Sequence, residues 1–146
     1  MNINFLSFFP ETWIDGETNR EFYFTITLKS FEEASDFCLN EGAILFEPKS
    51  EDINKRVSDH ANTIEGFGNA DNRYWIGIND ITAEGSFVYN SDQSPISWEN
   101  WKGNQPNDRA GGQDCGAVNT NEGEWWDDTC TDLRPFVCEK GNYKYV

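Results

Sequence analysis

The sequence predicts an α+β domain with two amphipathic helices in its first half and a run of short strands and long polar loops after them. Three observations lead there. Apolar residues recur at helical spacing after Ser30 and again after Ser50. From Tyr74 onward, short runs rich in β-formers take over. Residues from about Asn90 to Gly112 then carry little regular pattern, and a loop of that length is usually functional. At 146 residues the chain is one domain of ordinary size, long enough for a single core.

Taken in order, WIDGETNREFYFTITL (13–28) begins polar and turn-like, then becomes β-branched and aromatic, which predicts a strand over about Glu21–Leu28. Ser30 is an N-cap with Glu32 and Glu33 in the first turn. Phe31, Ala34, Phe37 and Cys38 share a face behind it, and Gly42 closes helix one. Ser50 repeats the signal with Glu51 and Asp52. Ile53, Val57, Ala61 and Ile64 carry helix two to near Gly66. The single histidine, His60, lies off that stripe and reads as a surface residue without a role. YWIGI is then a buried strand, NDITAEG a polar turn and SFVYN a second short strand. GAVNT alternates like a strand, EGEWWDD turns back, and RPFVCEK is the final strand.

Formal net charge is −15, from 26 acidic against 11 basic residues, which argues against nucleic acid and anionic membranes as partners. Most of these charges read as a solubilising surface, compatible with cation binding. Six Trp, five Tyr and eleven Phe are mostly core, with a few left for a binding surface. No apolar run reaches the length of about eighteen residues that a transmembrane span needs. MNINFLSFFP lacks a basic start and a small-residue cleavage pattern, so it does not read as a complete signal peptide. Cys38, Cys115, Cys130 and Cys138 permit three pairings. None has CxxC spacing, so two disulfides in a secreted, extracellular domain are expected rather than zinc or redox chemistry.

The densest chemistry lies in QPNDRAGGQDC (105–115) and GEWWDDTC (123–130). Amide and carboxylate oxygens are what a hard cation such as calcium takes as ligands, and the same groups hydrogen-bond sugar hydroxyls. A Trp face suits the C–H side of a sugar ring. Catalysis has no such foothold: the one histidine is helical, every cysteine is committed, and the carboxylates form no specific glycosidase pair.

FEEASDFCLNEGA, YWIGINDITAEGSFVYN, NWKGNQPND, QDC, GEWWDDTC and FVCE, in that order, make the chain resemble a C-type lectin-like domain of the short, two-disulfide form over about Pro10 to Lys140. The resemblance implies two helices packed on short antiparallel sheets with a long binding loop. It places the domain at residues 10–146 after an N-terminal extension, 1–9. It also implies the pairings Cys38–Cys138 and Cys115–Cys130, which close loops of about 100 and about 15 residues, nominally ~4–5 and ~3 kcal/mol in the chain-entropy model.

Sugar-binding members of that family hold calcium with the two residues flanking the Pro, a Glu two before the next Cys, and an Asn-Asp pair after a Trp. Carried over, these positions are Gln105, Asn107, Gln113, Trp126 in place of the Asn, and Asp127; Trp125 is the preceding Trp and reads as core. A register one residue later would pair Asp127 with Asp128 at the cost of a shorter spacing to Cys130. Gln-Pro-Asn is neither the Glu-Pro-Asn of mannose-type nor the Gln-Pro-Asp of galactose-type members. With carboxylates exchanged for amides, Gln105, Asn107 and Asp127 are expected to bind calcium weakly or not at all. Asp80, Glu84, Asp108 and Asp114 match a neighbouring calcium site of some members, and carboxylates converging on one loop need a cation or repel. The implied function is a secreted lectin that recognises glycans or glycoconjugates through the QPN loop and Trp126, which would stack on the sugar. No nucleic acid and no membrane insertion are expected, and a homodimer would add avidity. The alternative is the same scaffold recruited to protein, ice or mineral surfaces.

Overall fold

The computed structural model describes residues 11–67 and 72–141; the expected extension at 1–9 lies outside them. Eight strands and two helices follow in the order β1 (Glu11–Ile14), β2 (Glu21–Lys29), α1 (Phe31–Asn40), β3 (Ile44–Leu45), α2 (Glu51–Ala61), β4 (Arg73–Asn79), β5 (Val88–Tyr89), β6 (Cys115–Asn119), β7 (Trp125–Asp128) and β8 (Arg134–Lys140). The strands form one sheet in the order β1-β2-β8-β4-β6-β7, with β3 on β8 and β5 on β4. Pairing is antiparallel except where β8 slots in beside β4, with Trp75 opposite Phe136 in a parallel bridge. The C-terminal strand is therefore central and joins the half of the sheet built from the chain's start to the half that carries the long loop.

The first helix forms as its caps predict. The Ser30 hydroxyl accepts from the Glu33 N–H (3.2 Å) while Glu33 accepts from the Ser30 N–H (3.1 Å), a reciprocal capping box. Its buried face, Phe31, Ala34 and Cys38, packs with Leu45, Trp75 and Phe136. The second helix ends at Ala61, short of the Gly66 expected from the pattern. The Thr63 hydroxyl and N–H both turn back to the His60 carbonyl (2.6 and 3.0 Å), replacing the continuing helical bond with a tight turn. Ile53, Val57 and Ala61 pack with Phe22, Phe46, Ile76 and Trp125 in the larger core cluster, where each fully buried large side chain contributes roughly 1.5–3 kcal/mol.

His60 is packed rather than superficial: its ring stacks on Trp13 at 4.9 Å and lies 4.8 Å from Phe24. The cover comes from β1, a strand in a stretch that reads as a turn. EGEWWDD likewise does not simply turn back, because Trp125–Asp128 is strand β7, paired to β6 from Cys115↔Asp128 to Val118↔Trp125. GAVNT does form a strand, yet β6 is buried along most of its length rather than alternating. Disulfides join Cys38 to Cys138 and Cys115 to Cys130, with Cα separations of 5.5 and 5.2 Å. The first ties α1 to the central strand, and the second closes the base of the loop region. No described helix is long and apolar enough to cross a membrane.

Candidate functional site

The long loop is anchored on Trp125, which is fully buried. Trp98 and Trp101 meet its ring edge to face, each at 5.4 Å, and its indole N–H donates to Asn54 on α2 (3.0 Å). The loop backbone is stitched to the same residue: the Lys102 N–H donates to the Trp125 carbonyl (3.0 Å) and the Trp125 N–H to the Asn100 carbonyl (2.9 Å). Gln105–Pro106 is a cis peptide. Beyond it the chain doubles back through positive φ at Asp108, Ala110 and Gly111, and Arg109–Gly111 make one turn of 3-10 helix.

Within this loop the expected ligand set does come together, but its oxygens are already in use. Asp127 is 1% exposed, and its carboxylate accepts from the backbone N–H groups of Asn107 (3.1 Å) and Asp108 (2.7 Å). The Gln105 side-chain carbonyl accepts from the Asp127 N–H (3.2 Å). Those of Asn107 and Gln113 both accept from the Arg109 N–H (3.2 and 2.9 Å), and the Asp108 carboxylate accepts from the Gln113 N–H (3.0 Å). A hard cation here would have to displace several backbone donors and would meet, among the expected ligands, the single carboxylate of Asp127. The residues of this loop do not fit a calcium ion. Asp128, the other acid of the pair, faces Arg73 and Arg134, both at 3.1 Å.

Lys102, Gly103, Asn104, Gln105, Asn107, Arg109 and Trp126 line a concavity of about 580 Å³ on the outer side of this loop. Gln113 and Asp127 hold the loop without lining that space. Trp126 lines it, as the sequence implies, but the Arg73 guanidinium sits 4.4 Å over its ring. The indole therefore offers a ligand less than two free faces. Lys102, Asn104 and Arg109 also line this surface; sequence reasoning assigns them no sugar-binding role and reads Lys102 or Arg109 only as cations that could hold the acidic loop. On the other side of Pro106, Phe87, Ile96, Glu99, Trp101 and Gln105 line a second concavity of about 600 Å³.

The acidic group is different. Asp80, Glu84 and Asp114 each bring an oxygen within 4.8 Å of the others. Asp108 stays outside that trio, its carboxylate engaged by Gln113. Asp80 is 2% exposed; one of its oxygens accepts from the Gly85 N–H (2.7 Å), and the other is buried with no hydrogen-bond partner. Desolvation, then a side-chain hydrogen bond with Asp80, the like charges of Asp80 and Asp108, and a hydrogen bond with Asp114, push Glu84 up to about 7. Burial raises Asp80 as well, with Asp114 adding to it. An orphaned buried oxygen beside two further carboxylates is the donor set a calcium ion completes, so these residues fit the ion.

Fold, disulfides and loop together define a C-type lectin domain. The family model for the C-type lectin domain matches residues 27–140, and the chain belongs to that family, whose domains are binding modules rather than enzymes. Among its relatives, collectin-10 of Gallus gallus is 36% identical over 125 residues, 84% of this chain and 43% of that protein. Tetranectin of Mus musculus is 32% identical over 114 residues, 76% of this chain and 54% of that protein. The chain thus spans about half the length of the curated relatives it matches. Among solved structures, the mouse scavenger receptor C-type lectin carbohydrate-recognition domain superposes with a TM-score of 0.74 at 28% identity, covering 87% of this chain and 92% of that one.

Proposed function

We propose that this domain is an extracellular carbohydrate-binding lectin whose sugar surface is held together without calcium, while one calcium ion binds beside it at Asp80, Glu84 and Asp114. One observation carries the proposal. Every side-chain carbonyl of Gln105, Asn107 and Gln113 accepts an internal N–H, which leaves the NH2 groups of Gln105 and Asn107 as donors at the concavity. Those donors suit sugar hydroxyl oxygens, and the edge of Trp126 supplies apolar contact. The similarity to a carbohydrate-recognition domain and to collectin-10 supports the same reading, and two disulfides support an oxidising, extracellular compartment. The domain is taken to begin near residue 10, and pairing into a homodimer would add avidity.

A glycan array read with calcium and again with a chelator tests this. Glycan binding that persists in chelator, reduced at most a few-fold, is the expected result. Binding abolished by chelator would place calcium in the sugar contact itself. No glycan bound in either condition, together with altered ice or calcium carbonate growth, would favour the surface-binding alternative.

A further inference from the structure

We infer that the concavity lined by Lys102, Asn104, Asn107, Arg109 and Trp126 selects an anionic saccharide, one bearing a sulfate ester or a carboxylate, and that Arg109 is the residue that binds the anion. This rests on the carbohydrate-binding reading above and names its ligand class.

The lining explains why. Of its side chains, two are cationic and three are amides, and none is a carboxylate. That is a marked local exception in a chain with 26 acidic residues and a net charge of −15. Asp127 has both oxygens committed to backbone donors, and Asp108, between Asn107 and Arg109 in the chain, accepts from the Gln113 N–H and does not line the concavity. Lys102 is offset by Glu124 at 3.2 Å and, more loosely, by Glu122 at 3.9 Å.

Arg109 is not offset. Its backbone N–H is pinned from two sides by Asn107 and Gln113, while its exposed guanidinium makes no hydrogen bond or ion pair with a described residue. No described carboxylate pairs with the Arg109 guanidinium, although the chain carries 26 acidic residues. A fixed backbone carrying the guanidinium fork, flanked by the NH2 donors of Gln105 and Asn107, presents a donor-rich surface without carboxylates. The fork matches the two oxygens of a carboxylate or a sulfate ester. The net charge of −15 still repels long polyanions at a distance. A short saccharide with one terminal anionic group therefore fits better than an extended polyanion.

The test is a titration of the whole chain, followed by NMR or calorimetry, with four short saccharides: 6-sulfo-N-acetyllactosamine and its unsulfated parent, and a glucuronate-terminated disaccharide and its glucose-terminated counterpart. At least one charged member should bind about tenfold more tightly than its neutral partner, and the two arms report whether sulfate or carboxylate is preferred. Arg109→Ala should bring the charged ligand down to the level of the neutral one, and Arg109→Lys should restore only part of the difference. Lys55→Ala, which removes the same charge from the exposed face of α2, should leave the preference unchanged. Equal affinity for charged and neutral partners, or a preference that survives Arg109→Ala, overturns the inference while leaving carbohydrate binding intact. Binding of none of the four here, with none on the glycan array, overturns the carbohydrate reading itself.

Discussion

Around Pro106 each would-be ligand oxygen already accepts a backbone N–H, whereas across the loop base Asp80 keeps a buried oxygen with no partner beside two more carboxylates. The two regions are built from the same residue types and differ in how their acceptors are satisfied. In the first, amides bring less mutual repulsion than carboxylates would, and the loop's own N–H groups occupy their oxygens. In the second, three acids converge and one Asp80 oxygen has no hydrogen-bond partner, a group that the proposed calcium ion would complete. Calcium dependence in such a loop is thus set by where the backbone N–H groups point as well as by the count of acidic ligands.

The largest expected effect comes from breaking the first region. Asp127→Ala removes two hydrogen bonds to a buried carboxylate and should cost about 4 kcal/mol in urea denaturation, with loss of glycan binding. Calcium uptake should survive in the fraction that remains folded. Unchanged stability would mean that those N–H groups find other partners.

Next in size is a third carboxylate that sharpens the contrast. Glu47 is 2% exposed and accepts from both the Ser91 N–H (2.8 Å) and its hydroxyl (3.0 Å). Even so, burial, with Glu139 nearby, pushes it up to about 7 against the pull of Ser91 and Lys49. The folded state thus holds a proton that the unfolded chain releases near 4.5. This contribution is full below that value and is lost as pH rises through about 7, about 3 kcal/mol in total. Melting temperature in chelator should fall between pH 5 and 8, and Glu47→Gln should flatten that fall. A slope unaltered in Glu47→Gln assigns the fall to other groups.

A smaller effect should change sign with calcium. Asp80→Asn relieves like-charge repulsion, so the variant should be about 1 kcal/mol more stable than the parent in chelator. In millimolar calcium it should be the less stable of the two, because the ion no longer stabilises it. Paired melts with and without calcium read this directly, and the same sign in both conditions contradicts it. The smallest effect belongs to Gln113→Ala, which removes one acceptor from the Arg109 N–H at an exposed position. It should cost about 0.5 kcal/mol and leave calcium uptake unchanged.

Local signals in the sequence carried much of the fold. Ser30 and Ser50 start their helices, RPFVCEK is β8, and the irregular stretch around Pro106 is the loop that lines the concavity. What escaped depends on partners distant in the chain. Trp125–Asp128 is acidic and turn-like in isolation and becomes a strand by pairing with β6. His60 looks superficial until β1 brings Trp13 over it. At the site, the residues meeting around Pro106 were legible as a set. Their use was not, since no sequence pattern tells whether the Asp127 carboxylate meets an ion or the N–H groups of Asn107 and Asp108. The Arg73 cover on Trp126 and the isolation of Arg109 are likewise products of tertiary placement.

The contrast between the two regions reduces to the number and position of bound ions, which calorimetric calcium titration of the intact chain measures. One calcium per chain is expected, retained in Asn107→Ala and absent in Asp80→Asn. Two ions per chain, or loss of the single ion in Asn107→Ala with retention in Asp80→Asn, would contradict the account.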